Sequence, residues 1–312
     1  MAENLQSGVA QPASHLVRAL QVAHDTPARQ SPNGVRFATF GETGVADLDL
    51  DRMLEAIPTA ITAALNANTY YFVPLALREA SENLDAAPDQ TLQAPEPAMV
   101  ASAYTDEFSD AAICHRNVEL GHGKRGVFIS TRLLGDRFAL SFEFFINVAH
   151  AFVDQAGVPQ SFSNLVWQQA LSNVRGETSV DAWESRNLAF GRPANTQPEV
   201  LQPTSRRTRN AGLSSRQQRS FASTLADLNA DADATPANID EKERAAYLEA
   251  AFSDAVAIYL LSLALDFDYT ELREREYPLL APTALAARLR HIADLFPPNP
   301  TYEFAVRYRR RP

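Results

Sequence analysis

The chain has 312 residues, of which 46% are apolar and 21% are charged, and its formal net charge is −10. This composition is typical of a globular protein with a sizeable core, and it excludes wholesale disorder. An acidic chain lacks the general cationic face that phosphate binding requires, so we expect no nucleic-acid partner. The single cysteine excludes a disulfide scaffold and a cysteine-rich zinc site.

The first half of the chain shows alternating helix and strand signals. Residues 1–13 are typical of a frayed tail, and Ser14 is a candidate cap for a short helix that ends near His24. A loop with Pro and Gly residues follows. Apolar spacing and β-branched or aromatic runs then predict a strand at 35–40, a helix from Asp47 or Asp49 to 66, a strand at 70–73, a helix at 74–84 and a loop at 85–97.

The second half is richer in helix. Short apolar runs predict strands at 99–104, 111–116 and 127–132. Gly135 then breaks the preceding element, and Asp136 is a candidate cap for a long helix that extends to Gln155. Gly157 and Pro159 end this helix. Further helices are predicted at 161–174, 241–265 and 283–295, and an edge strand at 302–308.

These elements predict one mostly helical α+β domain, with a small antiparallel or mixed sheet packed on a central buried helix. Residues 1–30 form a tail and a short helix, and 31–190 form the first part of the core. Residues 191–240 are polar and proline-bearing, which indicates a flexible insertion. Residues 241–312 supply the C-terminal helices and tail.

No feature of the sequence indicates export or a membrane span. The N-terminus has no basic region followed by an apolar run of about 7–15 residues, which a secretory signal requires. The apolar runs are interrupted before they reach about 18 residues, the length of a spanning helix. We therefore expect a cytoplasmic protein without a membrane partner.

The helix at 137–155 carries a polar stripe on an otherwise apolar surface. Glu143, Asn147, His150 and Asp154 are spaced by four, three and four residues, which places them within about 60° of one another. A helix that is apolar on its other sides is normally central and buried. The stripe is either a solvent-facing line or internal network, or it lines a cleft in which a carboxylate and an imidazole act as acid/base groups or metal ligands.

A second candidate group lies just before this helix. His115, Glu119 and His122 have the spacing of a two-histidine, one-carboxylate site, although the glycines around His122 favour a hairpin loop. If this loop folds over the helix, His115 or His122 would meet His150. That contact would complete a site for a divalent metal, and the sequence leaves the presence of a metal open.

The order of these elements resembles the zincin fold of gluzincin and lethal-factor-like metallopeptidase domains. Residues 126–130 resemble the strand that precedes the family's His-Glu-x-x-His helix, residues 146–150 resemble that motif, and residues 250–259 resemble the later helix that supplies a carboxylate. The resemblance departs from the family where Ile146 replaces the first histidine and Asn147 replaces the catalytic glutamate. Ala250 stands at the third ligand, next to Glu249, and only His150 remains.

This degenerate motif implies a catalytically impaired metallopeptidase relative, because isoleucine cannot ligate zinc and asparagine cannot act as a base. Such a domain would bind an unidentified ligand or protein partner in the former cleft. Two alternatives remain open. In the first alternative, the chain is an active enzyme or metalloenzyme that uses Glu143, His150 and Asp154 with His115 or His122. In the second, it is a structural or interaction protein.

Overall fold

The computed structural model describes residues 15–78, 97–193, 239–272 and 277–307, and they form an α+β structure that is about half helical and contains two small sheets. The chain divides into two compact units. The first unit comprises Met1–Gly157, Ser253–Phe267 and Leu289–Pro312, and the second comprises Val158–Phe252 and Asp268–Arg288.

A five-stranded mixed sheet is the centre of the first unit. Its strand order is β2 (Arg29–Gln30), β3 (Arg36–Thr39), β4 (Asn68–Val73), β9 (Lys124–Ser130) and β8 (His115–Gly121). The three inner strands are parallel, whereas β2 and β8 run antiparallel at the two edges. All six residues of β4 are buried, as expected for a central strand that is covered on both faces.

The two faces of this sheet are covered by different elements. Tyr70 and Phe72 of β4 contact Phe144 of the long helix α6 (Arg137–Ala156), with ring centroids 5.1 and 5.6 Å apart. Tyr71 lies on the other face, where it stacks on Phe128 and joins a cluster with residues of α1 (Ala19–Asp25). The alternation of side chains along β4 therefore sorts its aromatic residues between the two layers.

A second sheet, of four antiparallel strands, belongs to the same unit. Its order is β1 (Leu16–Arg18), β6 (Met99–Ala101), β5 (Leu75–Leu77) and β7 (Ala112–Ile113). Short helices α2 (Asp47–Glu55), α3 (Thr59–Thr62), α4 (Asp106–Ser109) and α5 (Thr131–Leu134) connect the strands. The last residues of α9 (Glu241–Ala264) and α10 (Pro282–Leu295) complete the unit.

The second unit contains α7 (Gln160–Leu171), α8 (Val180–Ala189), the first part of α9, a 3₁₀ turn at Tyr269–Leu272 and the first part of α10. A fully buried carboxylate, that of Glu177, lies in its interior. It accepts hydrogen bonds from Arg186, Arg288 and the Tyr247 hydroxyl at 3.1, 2.9 and 2.6 Å. Two guanidinium groups therefore surround one carboxylate, and backbone carbonyls of Val174 and Gly176 accept further hydrogen bonds from Arg186.

The predicted class, α+β, is confirmed, and so are several elements. The strands at 35–40 and 70–73 and the helices at 137–155, 161–174, 241–265 and 283–295 appear within a few residues of their predicted bounds. The tail at 1–13, the cap at Ser14, most of the loop at 85–97 and residues 194–238 of the predicted insertion lie outside the described residues.

Five predictions about elements or their bounds were wrong. The helix predicted to reach residue 66 breaks into α2 and α3 at Pro58, whose ring and missing N–H cannot continue a helix. Pro74 opens strand β5 instead of a helix, because the buried run that follows it pairs with β6 and β7. Residues 302–307 form no strand, and residues 131–132 belong to α5. The N-terminal segment forms β1 before α1 begins.

Helix α9 is long and apolar enough to cross a membrane by length and composition. However, 67% of that stretch is buried inside the structure, which is typical of the core helix of a soluble protein. The cytoplasmic location itself stays a prediction.

Candidate functional site

Local sequence signals define α6, the helix that carries the polar stripe. Asp136 caps its first turn by accepting a hydrogen bond from the Ala139 backbone N–H at 2.8 Å, and Gly157 ends it with φ of 68°. Between these residues the helix runs for 20 residues. Half of them are buried, which anchors the helix against the sheet and fixes the direction of its polar side chains.

Strand β8 places a second line of polar side chains beside this helix. His115 and Asn117 are opposite Ile129 and Val127 of β9, and those two residues are in register with Phe72 and Tyr70 on the α6 face. Because successive side chains of a strand alternate, His115, Asn117 and Glu119 all lie on the face that α6 covers. Polar side chains therefore follow the edge of the sheet between β8 and the stripe of α6, and we refer to this surface as the polar groove.

One contact joins the two sides of this groove. Nδ1 of His115 lies 2.5 Å from Oε1 of Glu143, and the Asn147 amide donates to the same carboxylate oxygen at 3.1 Å. Asn147 also donates to the backbone carbonyl of Glu143 at 2.8 Å. The Glu143 side chain is 16% exposed and that of His115 is 37% exposed, so the pair lies at the mouth of the groove and not in the core.

The pair has a defined chemical capability. A carboxylate that binds one ring nitrogen fixes the orientation of the imidazole, as in many acid/base and metal sites. No described residue hydrogen-bonds Nε2 of His115. The imidazole can therefore donate to or accept from a bound ligand through that atom.

Arg125, which the sequence did not single out, connects the far end of the groove. Its guanidinium lies 3.4 Å from Asp154 of α6 and 3.4 Å from Glu119 of β8. All three side chains are more than 40% exposed, so solvent screens these ion pairs and their contribution to stability is small. The signal in the sequence was the glycine-bearing turn, since a hairpin closed there places Glu119 opposite Arg125.

The other candidate histidines and Glu119 occupy different positions. His150 is exposed on α6, and His122 occupies the hairpin turn with φ of 52°, between two glycines that also have positive φ. His115 and Glu119 are four residues apart on an extended strand, which separates their Cα atoms by about 13 Å. Within the described residues, no three His, Cys, Asp or Glu side chains are placed to hold one metal ion.

Beneath the groove, Tyr70 of β4 is fully buried against α6. Burial raises the pKa of its hydroxyl well above the usual value near 10, because the ionised form would lose its hydration. The hydroxyl has no hydrogen-bond partner among the described residues. Tyr70 therefore remains neutral at physiological pH, and it stabilises α6 by packing against Phe144.

No protein-family model, curated protein or solved structure matches this chain. The groove itself and the residues at 126–150 are therefore the basis for a functional proposal.

Proposed function

We propose that the first unit is a zincin-like domain without a working metal centre, which binds an extended peptide in the groove between β8 and α6. The observation that carries this proposal is that the Glu143 carboxylate contacts His115 and Asn147. Among the described residues, the side chains of the stripe form no group of three that could hold a metal ion. The polar side chains hold each other and leave the groove open to a ligand.

The local architecture supports the resemblance to zincins. The strand predicted from residues 126–130 lies within β9, and α6 follows it after one short helix. The edge strand beside α6 is antiparallel to its neighbour. On α6 itself, Ile146 and Asn147 occupy the positions at which the resemblance expects a zinc ligand and a general base, and neither side chain can perform that role.

The outer edge of β8, which pairs with no other strand among the described residues, supports a peptide ligand. The Ser130 N–H donates to the Cys114 carbonyl at 2.8 Å, which makes this a hydrogen-bonded pair of the β8–β9 ladder. Because such pairs alternate in an antiparallel ladder, the backbone groups of His115, Asn117 and Glu119 point away from β9. An extended peptide can add to this edge as a further strand, with backbone hydrogen bonds for affinity and side-chain contacts for specificity.

Panning the protein against a displayed library of random heptapeptides tests this proposal. We expect enriched peptides whose affinity falls at least tenfold in Asn117→Pro, because proline removes the outward N–H without removing a ladder hydrogen bond. Asn117→Ala keeps the N–H and is the matched control. Peptides that bind the proline variant and the parent equally would contradict binding along the β8 edge.

The resemblance itself is tested by rebuilding the motif. Ile146→His and Asn147→Glu together restore, beside His150, the second histidine ligand and the base that the family carries on this helix. We expect the double variant to take up one zinc per chain, measured by elemental analysis, while the parent and the Asn147→Glu single variant do not. A double variant that retains the parent's circular dichroism and binds no zinc would contradict the zincin-like assignment.

A second candidate function rests on the short contact between His115 and Glu143. An imidazole oriented by a carboxylate is the usual arrangement of a general base. In this alternative, His115 and Glu143 form the acid/base pair, and they are the members of the candidate set Glu143, His150, Asp154 and His115 that the structure brings together. Hydrolysis of a panel of nitrophenyl esters and casein, abolished by His115→Gln and unchanged by His122→Gln, would favour this enzyme over the peptide-binding domain.

A further inference from the structure

A cavity of about 250 Å³ lies in the first unit, at the carboxyl ends of parallel strands β3 and β9. It is formed by the loop that leads from β3 into α2 and by the residues that lead from β9 into α6. Open parallel sheets bind their ligands in this position, because the loops that follow the strands diverge there. The polar groove between β8 and α6 contributes none of the residues that line it.

One threonine holds the two sides of the cavity in place. The Thr131 hydroxyl lies 2.8 Å from the Thr43 carbonyl and 3.1 Å from the Val73 carbonyl. It thereby connects the ends of β9, β4 and the loop after β3. A cavity that is fixed in this way needs little rearrangement to accept a ligand, so less of the binding energy is spent on ordering its walls.

An arginine without an ionic partner lies at this cavity. Arg132 lines it and forms no ion pair with any described residue. Gly44 has φ of 70°, and a Cβ at this position would lie 2.6 Å from Nη1 of Arg132. The absence of a side chain at Gly44 therefore leaves the space that the guanidinium occupies. The other lining charges are already engaged, because Arg137 pairs with Asp49 at 3.3 Å and Asp136 caps α6.

The rest of the lining offers one hydroxyl and an apolar wall. Ser141 is 2% exposed and lines the cavity, and its hydroxyl forms no hydrogen bond with another described side chain or with a carbonyl outside its helix. A serine hydroxyl both donates and accepts, so this one is available to a ligand inside the cavity. Met53 and Leu140, both buried, provide the apolar surface beside it.

We propose that this cavity binds a small organic anion. Its carboxylate or phosphate group pairs with Arg132 and accepts a hydrogen bond from Ser141, and its apolar part packs on Met53 and Leu140. The volume admits a compact molecule and is slightly below the range of about 300–1,000 Å³ that drug-sized ligands occupy. This site is independent of the peptide groove and does not rest on the function proposed for it.

Calorimetric titration of the whole chain with benzoate, phenyl phosphate and the uncharged benzamide tests the proposal and separates the two anion types. We expect at least one of the two anions to bind and benzamide not to bind. Arg132→Gln should weaken binding of the anion about ten- to a hundredfold, as for the loss of a hydrogen bond to a charged group. Arg52→Gln, an exposed arginine of α2 outside the lining, is the matched control and should bind as the parent does.

The opposite results would overturn the site. These are benzamide bound as tightly as the anions, equal affinity of Arg132→Gln and the parent, or no binding of either anion at their solubility limits. Ser141→Ala gives a second measurement inside the cavity, with an expected loss of about threefold to tenfold for one neutral hydrogen bond. A parent-like affinity in both Ser141→Ala and Arg132→Gln would place the anion elsewhere on the protein.

Discussion

Nδ1 of His115 on the edge strand lies 2.5 Å from Oε1 of Glu143 on α6, and this contact is a direct polar link between the two sides of the groove. Because it joins a strand to a helix 28 residues later, it fixes the position of the edge strand as well as the orientation of the imidazole. The contact is therefore part of both the local stability and the proposed binding surface.

The coupling between these two residues can be measured by a double-mutant cycle. We expect His115→Ala and Glu143→Ala to show an interaction free energy of about 0.5–1 kcal/mol in urea unfolding, a small value because solvent screens a histidine that is 37% exposed. The more exposed pair Arg125 and Asp154 is the control, with an expected coupling near zero. Equal couplings for the two pairs would contradict a distinct role for His115.

The sequence predicted the helix of this site and part of the neighbouring strand, but not the register of that strand. Asp136, the apolar run and Gly157 are local signals, and they placed α6 within a residue of its observed end. The polar stripe was likewise visible as a spacing. Which residue of the stripe meets the hairpin was not visible in this way, because the register of β8 on β9 is what places His115 beside Glu143.

Long-range pairing was beyond the sequence for a related reason. Pro74 reads as a helix start in isolation, and only the presence of β6 and β7 on either side makes the next three residues a strand. Pro58, by contrast, carried a local signal that the apolar spacing around it concealed. Glu177 and its two arginines are separated by up to 111 residues, so no local pattern could reveal their buried cluster.

Removing the charge of Glu177 tests that buried cluster. Glu177→Gln leaves Arg186 and Arg288 buried without a carboxylate, and we expect a loss of about 3–5 kcal/mol in the free energy of unfolding. Glu271→Gln removes an exposed carboxylate and should stay within about 0.5 kcal/mol of the parent. Urea denaturation measures both, and a loss below about 1 kcal/mol for Glu177→Gln would show that the arginines find other acceptors.

A close backbone approach makes Gly176 irreplaceable in the second unit. A Cβ at this position would lie 2.0 Å from the Leu279 carbonyl oxygen, and its φ is 79°. Gly191 has a similar φ of 66° with no atom within 4 Å, so alanine there adds only the left-handed strain of about 1 kcal/mol. We expect Gly176→Ala to cost about 3 kcal/mol or more in thermal or urea unfolding. Equal losses for the two variants would mean that the chain at Leu279 moves away freely.

Alkaline pH should destabilise the fold through its buried tyrosines. Burial raises the pKa of Tyr70 and of Tyr247 above the value near 10 that each has in the unfolded chain, so this contribution is complete below pH 10 and is lost as the pH rises above it. Each such tyrosine should remove about 1.4 kcal/mol per pH unit between pH 10 and its folded pKa. The Tyr70 hydroxyl has no partner among the described residues, which makes Tyr70→Phe the clean variant. We expect its free energy of unfolding to match or exceed that of the parent at pH 7. Between pH 10 and 11.5, urea unfolding should show that the variant loses about 1.4 kcal/mol less stability than the parent. An equal loss in the two proteins would mean that Tyr70 ionises freely in the folded protein.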